Sequence, residues 1–188
     1  MLENLKSELK NCTKCPLHSG RNNIVFSDGP ENAKIMLIGE APGADEDKTG
    51  IPFVGRAGKL LNELLSAAGL SRKDDIYIAN TVKCRPPENR KPLPKEKIAC
   101  EDNLNKQIDM VKPKVIILCG ATAAESFIKG RKFTITKVRG QIFDYKNGIK
   151  LIPIFHPSYL LRKHSMDKNA PRSLTLEDLK TAKAMAEL

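Results

Sequence analysis

The chain has 188 residues, 40 % of them hydrophobic, with 32 Lys plus Arg against 22 Asp plus Glu and a formal charge of +10. That length suits one domain, residues 1–188, whose core needs no disulfide staples; the apolar fraction excludes a disordered chain, and no apolar run approaches the roughly 20 residues that span a bilayer. The charge surplus favours a polyanionic partner over a merely Lys-rich surface, because each neutralised phosphate releases bound counterions.

The first ten residues, MLENLKSELK, form a charged amphipathic segment with no apolar signal-peptide core. The chain is therefore expected to be cytoplasmic, mature from Met1 and without a membrane partner. Residues 34–39 (KIMLIG) read as a continuous apolar strand. After a glycine-containing loop, residues 55–70 place Leu60, Leu61, Leu64, Leu65 and Ala68 on one helical face, with Gly69 as the C-cap. Residues 76–80 (IYIAN) are the next strand, and 94–111 a helix that opens on a proline. Residues 114–120 (KVIILCG) form another buried strand, followed by a helix over 121–129. A short extra strand is expected at 140–144 and the last core strand at 149–156, and the tail ends in a helix capped by Ser173 or Thr175. Strands that are apolar throughout and separated by helices imply a parallel sheet covered on both faces. The expected fold is a single three-layer α/β/α domain around a mostly parallel, four-stranded sheet.

Three of these strands run into a polar residue at the carboxyl end: Glu40, Asn80 and His156. Ligands of open parallel sheets bind beyond that rim, so a carboxylate, an amide and an imidazole delivered together are better read as a site than as three separate caps. The loop after Glu40 (APGADEDKTGIPFVGRAGK) matches neither a Walker loop nor G-x-G-x-x-G. Phe53 stands among small residues in it, either as a plug onto the core or as a stacking platform for a base.

Five cysteines in a reducing compartment argue for metal or catalysis rather than disulfides. Cys12 and Cys15 form C-x-x-C after the first helix, and Cys84 and Cys100 bracket a basic, proline-rich loop. These four suit zinc, a single rubredoxin-like iron or an iron–sulfur cluster. Cys119, inside an apolar strand, reads as a small buried hydrophobe.

At these residues the sequence resembles the family 4 uracil-DNA glycosylases, the iron–sulfur class found in thermophiles and many bacteria. The resemblance is carried by Gly39-Glu40-Ala41-Pro42-Gly43, by Asp45-Glu46-Asp47 and Pro52-Phe53-Val54-Gly55, by Asn80 within NTVKCRPPENRKP, and by His156-Pro157-Ser158-Tyr159-Leu160-Leu161-Arg162. It implies excision of uracil from single- or double-stranded DNA in the nucleoid by a monomer, with a structural 4Fe-4S cluster on Cys12, Cys15, Cys84 and Cys100 and zinc as the less favoured alternative. It further implies a flipped uracil held by Ala41, Gly43, Phe53, Asn80 and His156, with Glu40 and His156 catalytic and backbone N–H groups of residues 40–43 assisting. DNA contacts would come from Arg85, Arg90, Ser158 and Arg162, and Leu160 would be either the wedge that fills the vacated stack or a helix residue packed inward. The basic residues Lys83, Arg85, Arg90, Lys91, Lys95 and Lys97 form a loop suited to a phosphate backbone.

Two departures bear on chemistry. Superfamily members often carry Asp or Asn, which positions water, where this chain has Ala41, which leaves Glu40 first in line and Asp45, Glu46 or Asp47 behind it. The tyrosine that blocks thymine in other members is replaced by Gly43, so a different side chain, Glu46 among them, has that task. A binding protein of the same fold without turnover is the alternative reading, and a redox protein ranks below it. No replication-clamp partner is legible.

Overall fold

The computed structural model describes residues 1–130 and 132–187. Four five-residue strands, β1 (Ile35–Gly39), β2 (Ile76–Asn80), β3 (Val115–Cys119) and β5 (Lys150–Ile154), pair in parallel. A two-residue strand, β4 (Phe143–Asp144), joins the edge antiparallel through Phe143 opposite Leu151 and Asp144 opposite Lys150. The order is β2-β1-β3-β5-β4. The sheet is thus five-stranded rather than four-stranded: the extra segment at 140–144 pairs only over two residues, but that is enough to extend the sheet.

Every residue of β1, β2 and β3 is buried, because helices cover both faces and alternate side chains feed opposite cores. Ile35, Leu37, Ile76, Ile78, Val115, Ile117, Ile152 and Ile154 pack with Leu60, Leu61, Leu64 and Leu65 of α3 (Arg56–Ala67) and Leu179 and Ala182 of α8 (Pro171–Ala186). Met36, Ile38, Tyr77, Ala79, Ile116 and Leu118 face the other way, onto Leu2, Leu5 and Leu9 of α1 (Leu2–Leu9) and Leu104, Ile108 and Val111 of α4 (Pro94–Val111). The three layers expected from the sequence are therefore present.

Helix α8 begins at Pro171, earlier than either expected cap. A proline at the first helical position has the right φ and lacks only an N–H that would go unbonded anyway. Ser173 and Thr175 then lie inside the helix, where Thr175 Oγ1 donates back to the Pro171 carbonyl at 2.8 Å. Among the described residues, no helix is long and apolar enough to cross a membrane.

Candidate active site and metal centre

Parallel pairing brings Gly39 and Asn80 into register, and β5 continues through Phe155 to His156 on the same rim. A cavity of about 380 Å³ opens there, lined by Glu40, Ala41, Gly43, Phe53, Asn80 and His156 among others. It adjoins one of about 490 Å³ that shares Glu40, His156 and Ser158 and adds Lys91 and Tyr159. The sequence-selected base-binding residues thus line one space. A further groove of about 360 Å³, with Leu104, Phe127 and Tyr145 in its wall, includes neither Glu40, Asn80 nor His156.

The floor depends on a missing side chain. A Cβ at Gly39 would lie 2.4 Å from Asn80 Oδ1 and 2.5 Å from Phe53 Cζ, so only glycine lets amide and ring approach each other. Asn80 is buried and among the described residues its Oδ1 has no hydrogen-bond partner, and an unpaired acceptor away from water is costly unless a ligand supplies the donor. Phe53 and His156 rings face each other across the cavity wall at 5.9 Å.

The imidazole's proton can be located. Ser158 N–H donates to His156 Nδ1 at 3.2 Å, and Ser158 Oγ lies 2.7 Å from the same nitrogen. A backbone N–H can only donate, so Nδ1 is an acceptor and the neutral ring carries its hydrogen on Nε2. Burial holds the His156 pKa below the ordinary histidine value, against the opposing pull of Glu40 and Glu46.

The acidic loop divides by geometry. Glu46 of α2 (Ala44–Thr49) accepts from Gly43 N (3.0 Å), Val54 N (2.9 Å) and Gly55 N (2.9 Å). It is a staple between two turns of the pocket wall. Asp47 is buried and accepts from Asn22 N at 2.9 Å. Asp45 is exposed and absent from the cavity lining. Glu40 is the remaining carboxylate in the wall, and among the described residues its side chain makes no hydrogen bond. Gly43's N–H, expected to face a ligand, is taken by Glu46. A Cβ on Gly43 would sit 2.7 Å from Glu46 Oε2, so Glu46 fills space that a side chain at position 43 would need.

Four expected DNA contacts need revision or narrowing. Leu160, on α7 (Pro157–Leu160), is fully buried in the core cluster shared with α3 and α8; its side chain cannot enter DNA while that packing persists, and the inward-packed role replaces the wedge. Lys83 is 1 % exposed, with its Nζ donating to the Asn80 carbonyl at 2.8 Å. Burial pulls its pKa down to about 8, so it belongs to the floor of the site and not to a phosphate surface. Arg90 pairs bidentately with buried Glu96 (2.9 and 2.7 Å); Glu96 is held below the usual carboxylate range by that contact. Arg85 Nε donates to Asn89 Oδ1 at 2.7 Å. Ser158, Arg162 and Lys91 are exposed.

Cys12, Cys15, Cys84 and Cys100 line a single cavity together with Arg21 and Asn103. Burial raises the Cys15 and Cys84 thiols, and the neighbouring cysteines add to it, Cys100 and Cys12 at Cys15 and Cys100 and Cys15 at Cys84. Arg21 Nη1 donates to Cys84 Sγ at 3.4 Å and to the Cys12 carbonyl at 2.7 Å. Asn103 Nδ2 is buried with no hydrogen-bond partner among the described residues. A four-thiolate donor set beside a cation and an unpaired donor fits a group that presents anionic sulfur. Among the described residues no three His, Cys, Asp or Glu side chains converge closely enough to hold a single ion. Cys119 lies outside this set, wholly buried in β3, where burial pushes its thiol far up.

Sequence reasoning overlooked Arg72, which donates to the Phe53 and Pro52 carbonyls. No motif marks it, because its partners are main-chain atoms of a distant turn.

A sequence model of the Uracil DNA glycosylase superfamily matches residues 26–180. The type-4 uracil-DNA glycosylase of Thermotoga maritima is 50 % identical over 98 % of this chain and 94 % of its own. That of Archaeoglobus fulgidus is 43 % identical over 85 % of this chain and 83 % of its own. A type-5 uracil-DNA glycosylase of Pyrobaculum aerophilum is 30 % identical over 82 % of this chain and 81 % of its own. With the type-4 relatives matching at the higher identities and the pocket residues gathered on one strand rim, the chain belongs to the uracil-DNA glycosylase superfamily, in its type-4 family.

Proposed function

We propose that this protein is a DNA repair glycosylase that takes uracil out of the DNA stack and hydrolyses its N-glycosidic bond, leaving an abasic site. The observation that carries this reading is the buried Asn80 Oδ1 beside Phe53, which has no hydrogen-bond partner among the described residues. Oδ1 accepts from uracil N3–H while Nδ2 donates to O4. Cytosine offers the reverse pattern at both positions, so it would leave buried polar groups unpaired. Phe53 stacks on the base, and Glu46, filling the space above Gly43, is the residue placed to crowd a thymine methyl.

As the C1′–N1 bond breaks, the electron pair leaves with uracil and charge gathers on O2 and O4. His156 Nε2–H donates to O2 and stabilises that charge as a neutral imidazole. The Glu40 and Ala41 N–H groups, which have no hydrogen-bond partner among the described residues, are the main-chain donors left in this loop. Glu40 orients the attacking water, accepts its proton and balances the oxocarbenium charge on the sugar. Cys12, Cys15, Cys84 and Cys100 would hold a 4Fe-4S cluster, which when bound supplies a cross-link between the N-terminal segment and the 84–100 loop. Val82, Cys84 and Ala41 pack in one small hydrophobic group, so that cross-link also supports the pocket loop. We take the enzyme to act as a cytoplasmic monomer on nucleoid DNA.

Uracil-containing DNA incubated with the protein and then treated with alkali should break at uracil positions without any added cofactor; no breaks above background from folded protein would sink the enzyme reading. Asn80→Ala should cut kcat/KM on uracil DNA by about 10²-fold, through two lost hydrogen bonds and the disturbed stacking floor.

The DNA surface is built from exposed Lys91, Ser158 and Arg162, with Arg85 at its edge. Replacing Lys91 and Arg162 together should reduce the slope of log K against log salt by about two. Arg90→Ala should instead lower stability, because it strips buried Glu96 of its counter-charge. Salt-dependent binding isotherms separate the two effects.

A further inference from the structure

Phe53 sits at φ = 52°, a left-handed conformation unfavourable for a bulky residue unless its surroundings hold it there. The restraints are visible. Arg72 lies in the loop between α3 and β2 and is largely covered, its side chain 16 % exposed. Its Nη1 donates to the Phe53 carbonyl at 2.7 Å, its Nη2 to the Pro52 carbonyl, and its Nε to Asp28 Oδ2 at 2.8 Å. Asp28 is tied to the sheet, exchanging main-chain hydrogen bonds with Ile78 of β2 at 3.0 and 2.7 Å. On the opposite side of the same turn, Glu46 Oε1 accepts the Val54 and Gly55 N–H groups. A cation thus holds the turn's carbonyls and an anion its amides. Gly58 seals the arrangement, since a Cβ there would lie 1.9 Å from the Phe53 carbonyl oxygen.

We infer that Arg72 is a positioning residue for base recognition: anchored by Asp28 to the sheet edge, it keeps Phe53 in the left-handed turn that presents the ring to the base. The inference rests on the uracil-stacking role of Phe53 proposed above. Arginine is required because four acceptors, the fourth being Asn62 Oδ1 at 3.3 Å from Nη1, need a planar fork with several fixed donors, which a lysine ammonium cannot match. Without those donors the two carbonyls lose their partners and residue 53 relaxes toward negative φ, swinging the ring out of stacking register.

The test is inhibition by free uracil, together with binding to DNA that carries an abasic site, which has no base to stack. Arg72→Leu should weaken uracil inhibition about ten-fold, comparable with loss of one base–aromatic stack. Its affinity for abasic-site DNA should stay within about two-fold of the parent, as expected for a distant, independent contact. Arg72→Lys, which can keep the Asp28 pair and one carbonyl, should fall between. In a Phe53→Ala background Arg72→Leu should weaken uracil no further. Parent-like uracil inhibition by folded Arg72→Leu, or losses that multiply in the double variant, would overturn the inference while leaving Phe53 in its role. Should Phe53→Ala alone leave uracil inhibition unchanged, the stacking reading falls and this one with it. If Arg72→Leu does not fold, Arg72→Lys and Asp28→Asn decide: weakened uracil inhibition with intact abasic-site binding supports the clamp, and parent-like values for both overturn it.

Discussion

His156→Ala should lower kcat on uracil-containing DNA by about 10²- to 10³-fold, the cost typical of removing one donor aimed at developing negative charge. KM should change little, because the hydrogen bond to O2 strengthens only as the glycosidic bond breaks. The effect depends on the tautomer. Ser158 N–H occupies Nδ1, so the donor is Nε2–H of a neutral ring, and no proton has to be carried to the leaving base. The pH dependence follows from the same geometry. Burial lowers the His156 pKa below the ordinary value of 6.5, so the ring is neutral at and above neutral pH. Protonating the ring would break the Ser158 contact, and activity should fall on the acid side through a pKa below 6.5. The stability term has the same sign: the unfolded chain binds the proton first as pH drops, so the contribution present above 6.5 is lost below it. A His156→Ala variant with parent-like kcat would remove the histidine from the chemistry.

Loss of one thiol from the cysteine cavity is the second large effect. Cys84→Ala or Cys100→Ala should abolish stoichiometric iron and labile sulfide and lower Tm by about 10 °C or more, since a few kcal/mol shifts a domain of this size by that amount. The reason is connectivity. Cys12 and Cys15 lie between the apolar face of α1 and buried Leu17, whereas Cys84 follows β2 and Cys100 lies on α4. Removing the proposed shared ligand set would free both the N-terminal segment and the basic loop, and the packing of Val82 and Cys84 on Ala41 would carry the disturbance to the pocket. Cys119→Ala should leave iron content and rate unaltered, because that thiol lies in β3 against apolar neighbours. Colourless protein with one equivalent of zinc would overturn the cluster assignment; parent-like iron in Cys84→Ala would overturn the ligand set.

The layered α/β architecture, and the gathering of Glu40, Asn80 and His156 on one strand rim, were legible in the chain alone. Uninterrupted apolar strands separated by helices admit little other than a covered parallel sheet, and parallel strands must deliver Glu40, Asn80 and His156 to a common rim. The four paired cysteines were legible for a similar reason, since thiol chemistry and spacing are local. Other features depended on packing that no local pattern records. Leu160 and Lys83 sit beside functional residues in the chain, yet both are buried, because helix phase and strand-end geometry turn them inward. A lysine in a basic loop and a lysine under a strand end look alike in a sequence. Two residues of β4 join the sheet because they lie beside the edge of β5, which a single strand's pattern does not announce. The proton on His156 follows from where Ser158 N–H points, and the fate of the acidic loop from which amides lie within reach of Glu46. Arg72 was hidden most completely: its partners are carbonyls, and every residue has a carbonyl, so only the tertiary structure decides which of them a guanidinium meets.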